Sequence, residues 1–143
     1  MRLVYADSES TPALLVGRTI ESIEVNEHQD EMYFLCTDGE AFRAYHMQDC
    51  CESVVIHDFS GNLPDLIGSP IVQATEESTD EEWPADVEKP DFLESFTWTT
   101  HRFVTQAGAE VVVRWCGKSN GYYSESVYFE RTHKRIPEPP EVK

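Results

Sequence analysis

Positive charge is scarce in this chain of 143 residues: 11 Lys and Arg stand against 27 Asp and Glu, a formal net charge of −16. A field of that sign repels phosphates and anionic lipid headgroups. It excludes non-specific nucleic-acid binding and favours basic protein surfaces instead. Long apolar runs are missing as well. Stretches such as Ala13-Leu14-Leu15-Val16 fall far short of the roughly 20 residues a membrane-spanning helix needs. The first residues, Met1 to Asp7, lack the apolar stretch and cleavage pattern of a secretory signal, so a cytoplasmic location is expected. Cysteine is limited to Cys36, Cys50, Cys51 and Cys116, and without a secretion signal reduced thiols are the expectation. The glycine spacings of a phosphate loop or a dinucleotide fingerprint are absent, and no cofactor is expected.

What is present is material for one core. Apolar residues make up 40%, with seven Phe, six Tyr and three Trp. The length suits a single domain, expected over residues 1–135, with a frayed Pro-rich tail at 136–143. Thr11-Pro12 opens a short helix or a turn. Strand signals follow at 19–25, 32–36, 41–46, 53–59, 71–76, 95–104, 110–116 and 122–131. Asp38-Gly39 marks a tight hairpin between the second and third of these, and Asn120-Gly121 offers a second hairpin pair. Helical turns are expected at 47–52 and at 63–67. Seven or eight short strands joined mostly by turns predict a mainly β fold, an antiparallel sheet forming a sandwich or a partly open barrel.

Three constellations invite a functional reading. The first is His46-Met47-Gln48-Asp49-Cys50-Cys51-Glu52. His46, Cys50 and Cys51 make a weak zinc or thiol candidate, since structural zinc usually wants two ligand pairs and only one uneven cluster is here. The bland reading has Asp49 capping a turn, one Cys packed inward, and His46 and Gln48 satisfying backbone groups where the chain changes direction. The second is Arg114 to Ser124, where Asn120, Tyr122 and Tyr123 could form a contact surface or simply pack against neighbouring strands. The third is residues 76–94, where Glu76, Glu77, Asp80, Glu81, Glu82, Asp86, Glu88, Asp91 and Glu94 face one base, Lys89. Punctuated by Pro84 and Pro90, it reads as a long, mobile, solvated loop. As an interaction surface, its carboxylates would stand in for nucleic-acid phosphates.

Two long strings carry a resemblance: Tyr45 to Val54 followed by Gly61 to Ile71, and Phe96 to Thr99 followed by Arg114 to Val127. They resemble an uncharacterised domain family of tailed phages and their bacterial hosts, over roughly Gly17 to Glu130, with departures in the acidic loop and at both termini. The family brings no agreed activity, so no catalytic residue carries over. The resemblance implies a small accessory protein of a phage or mobile element. By analogy with other small acidic proteins of that kind, it implies an inhibitor of a host defence protein of the CRISPR-effector or restriction type. The expected partner is then a basic, nucleic-acid-binding host protein in the bacterial cytoplasm, met without enzymatic chemistry. A phage assembly role is the other expectation.

Overall fold

The computed structural model describes residues 11–133. Eight strands form within them: β1 (Ile20–Val25), β2 (Glu31–Cys36), β3 (Ala41–Tyr45), β4 (Glu52–Ser60), β5 (Ile71–Thr79), β6 (Ser95–Thr105), β7 (Glu110–Ser119) and β8 (Tyr128–Thr132). They make two four-stranded antiparallel sheets, ordered β1-β2-β3-β8 and β4-β7-β6-β5. The sheets face each other as an unclosed sandwich. Alternation along the strands explains the pairing of faces: Phe34, Phe42 and Phe129 from the first sheet meet Val54, Phe103, Val113 and Trp115 from the second in one buried cluster. Contact across the layers is direct, with the rings of Phe34 and Phe103 centred 5.6 Å apart. His101 is buried in the same layer and edge-on to Phe129.

The Asp38-Gly39 hairpin forms between β2 and β3, with Gly39 at φ 88° as the turn requires. Single 3₁₀ turns occupy Pro12–Leu15, capped by the Thr11 hydroxyl, and Leu63–Leu66. No helix among the described residues is long and apolar enough to cross a membrane. The Pro-rich tail and the first seven residues lie outside the described residues.

Three local expectations are corrected. Residues 47–52 make no helical turn; they are irregular up to the start of β4. The Asn120-Gly121 pair closes no hairpin, because β7 and β8 belong to different sheets and residues 120–127 carry the chain across between them. The last strand is correspondingly shorter, Tyr128–Thr132. Finally, β5 continues through Glu76 and Glu77 to Thr79, leaving 80–94 as the loop. Glutamate is a poor strand former, but pairing against Thr99, Thr100 and His101 on β6 overrides that preference.

Candidate functional site

The three constellations separated in sequence meet around one end of the second sheet. Ser119 at the end of β7 pairs with Glu52 at the start of β4 and with Ser95 at the start of β6. Residues 46–51, the end of the acidic loop and residues 120–127 therefore leave or enter the sheet together. Their tips carry exposed apolar side chains: Met47 is 70% exposed, Phe92 93% and Tyr122 89%. Tyr123 is half-buried, and Asn120 spends its side chain inside its own loop, where Oδ1 accepts from the Tyr122 amide at 2.9 Å.

The His46 segment is organised by a carboxylate. Glu52 accepts from the amides of Asp49 and Cys50 at 2.9 Å each, and its Oε2 lies 2.9 Å from His46 Nε2. The histidine hydrogen bond, helped by these amides, holds the Glu52 carboxyl down at about 2. His46 Nδ1 lies 2.7 Å from the Ser126 carbonyl, tying the segment to the 120–127 crossing. Gln48 brackets Val54, accepting from its amide and donating to its carbonyl. The expectation that His46 and Gln48 satisfy groups at a change of direction is met, but the organising residue is Glu52 rather than Asp49. Neither cysteine packs inward: Cys50 and Cys51 are both exposed, with their sulfurs in contact. The remaining thiols sit apart on β2 and β7. Burial pushes Cys36 up to about 11 and raises Cys116. Among the described residues, no group of three or more His, Cys, Asp and Glu is placed to hold a metal ion.

The acidic segment divides into parts with different duties. Glu76 points inward, 2.8 Å from the buried His101 Nε2. Asp86 turns back onto β7 and, with Asp58 of β4, grips Arg114: the Arg114–Asp58 contacts are 2.9 and 2.6 Å and the Arg114–Asp86 contacts 3.0 and 2.9 Å. Hydrogen bonding from Arg114 lowers both carboxyls, and they in turn raise the guanidinium. Trp83 lies edge-on to Phe96 and Trp98, with ring centres 5.2 and 5.1 Å away, and its indole N–H donates to the Val87 carbonyl at 2.8 Å. The expected free loop is thus a strap laid over the outer face of the sheet and fastened at Trp83 and Asp86. Glu77, Asp80, Glu81, Glu82, Glu88, Asp91 and Glu94 remain exposed and form no ion pair with a described residue.

Sequence reasoning missed Glu52 as the organiser of the His46 segment, and Trp83, Trp98 and Arg114 as the fastening of the strap. The signal available was the placement of a tryptophan inside an otherwise polar run, which marks an anchor. No curated protein and no solved structure matches the chain. A family model described as a domain of unknown function covers residues 13–129. Its span takes in both sheets, the strap and the 120–127 crossing as far as Phe129, and the chain belongs to that family, DUF7448.

Proposed function

We propose that this protein is a non-enzymatic binding domain whose acidic strap docks onto a basic groove of a nucleic-acid-binding partner and competes with nucleic acid there. The setting that fits is a phage or mobile-element accessory protein acting on a host defence protein. One observation carries the reading: six exposed carboxylates without ion-pair partners among the described residues (Asp80, Glu81, Glu82, Glu88, Asp91 and Glu94) ride on a segment that Trp83 and Asp86 fasten to the sheet. A fastened strap loses less conformational freedom on docking than a free acidic tail does. Its charge speeds encounter with a basic surface, and salt screens it.

The test uses an arginine- and lysine-rich peptide as a model basic partner, with binding followed by fluorescence anisotropy. Affinity is expected to fall by at least about tenfold between about 50 and 200 mM salt. Neutralising strap acids as Asp80→Asn, Glu81→Gln and Glu88→Gln is expected to flatten that dependence, and double-stranded DNA to compete for the same peptide. Affinity indifferent to salt and to the triple variant would rule the reading out.

A further inference from the structure

Between the strap and the outer face of the second sheet lies a cleft of about 450 Å³, lined by Glu77, Glu82, Trp83, Trp98, Thr100 and Arg114, among others. Its size is that of a ligand pocket, and its chemistry is lopsided. The one guanidinium in the lining is already matched by Asp58 and Asp86, both held ionised by it. Glu77 and Glu82 therefore face the cleft with no cation among the described residues to neutralise them. The aromatic surface beside them accepts cations: Arg114 sits 5.5 Å from the Trp98 ring centre, and Lys89 5.5 Å from that of Phe96. Anions are repelled by the same carboxylates. The cleft also borders β5, an edge strand of its sheet, through Glu77, Ser78 and Thr79. An extended segment lying along that edge places a side chain over the opening.

We propose that this cleft is a socket for an arginine side chain of the basic partner inferred above, a reading on which this inference rests. Arginine fits better than lysine because its planar guanidinium stacks on indole while its fork of N–H groups reaches carboxylates. The test titrates the full chain with a blocked Gly-Arg-Gly peptide and with its lysine and citrulline counterparts, following the indole signals of Trp83 and Trp98. Arginine is expected to bind saturably and more tightly than lysine, and citrulline not at all. The pair Glu77→Gln and Glu82→Gln is expected to weaken arginine binding by about tenfold. The remote exposed pair Glu21→Gln and Glu27→Gln, which removes the same charge, should change it by less than about twofold. Equal losses from the two pairs, or citrulline binding as well as arginine, overturn the socket. If the polybasic peptide stays salt-sensitive in that event, the acidic-docking reading survives without the socket. If the polybasic peptide is indifferent to salt, that reading falls with it.

Discussion

At the scale of single residues, Glu52 has the widest reach. Its carboxylate gathers the amides of Asp49 and Cys50 and the ring of His46, and through His46 it touches the crossing segment at Ser126. Its folded-state pKa lies below the ordinary 4.5, at about 2, so folding favours the ionised form. The stabilisation is complete above about 4.5 and is lost as pH falls towards about 2. Asp58 and Asp86, lowered by Arg114, add acid sensitivity of the same sign. The comparison that isolates Glu52 is therefore wild type against Glu52→Gln. Melting midpoints by circular dichroism should drop more steeply between pH 4.5 and 2 for the wild type than for the variant, and parallel profiles would count against this role. Little of this was legible beforehand. The sequence shows a His, an Asp, two Cys and a Glu within seven positions. Which acid turns inward depends on where β4 begins, and pairing with β7 sets that.

At the scale of elements, the strap is the least ordinary piece. Most of its composition is that of a solvated loop, yet Trp83 and Asp86 fasten it to β6 and β7. Trp83→Ala removes the edge-on contacts with Phe96 and Trp98 and the bond to Val87. Because no sandwich core residue is touched, the expected result is local: faster protease cleavage within 80–94, with the melting midpoint down by about 4 °C for each kcal/mol lost. Unchanged cleavage would show that the strap is held by something else. A polar run with two prolines argues for a loop, and a loop it is. Its landing site was hidden because Phe96 and Trp98 share the outer face of β6 with Thr100, and only pairing to Cys116 and Arg114 shows what that face offers.

At the scale of the whole molecule, stability rests on one apolar layer shared by both sheets. Phe103 is fully buried on β6 and meets Phe34 of the opposite sheet. Phe103→Ala is expected to cost about 3–5 kcal/mol in chemical denaturation, through lost burial and the cavity left behind. A cost near 1 kcal/mol would mean the layers close over the gap. The sequence by itself determined the acidity, the β class, the Asp38-Gly39 hairpin and the short turn at Leu63, because alternation, turn chemistry and net charge are local or additive properties. It did not determine that β8 joins the first sheet rather than pairing with β7, since an Asn-Gly pair reads as a hairpin wherever it falls. Nor did it show that Glu76 faces inward, that Asp86 is a tether, or that a cleft opens beneath the strap. Those depend on contacts between segments tens of residues apart, such as Arg114 with Asp58 and Asp86 or His46 with Ser126. Only the packed fold decides which side chains share a face, and so which of the many carboxylates are tied to a neighbour and which are not.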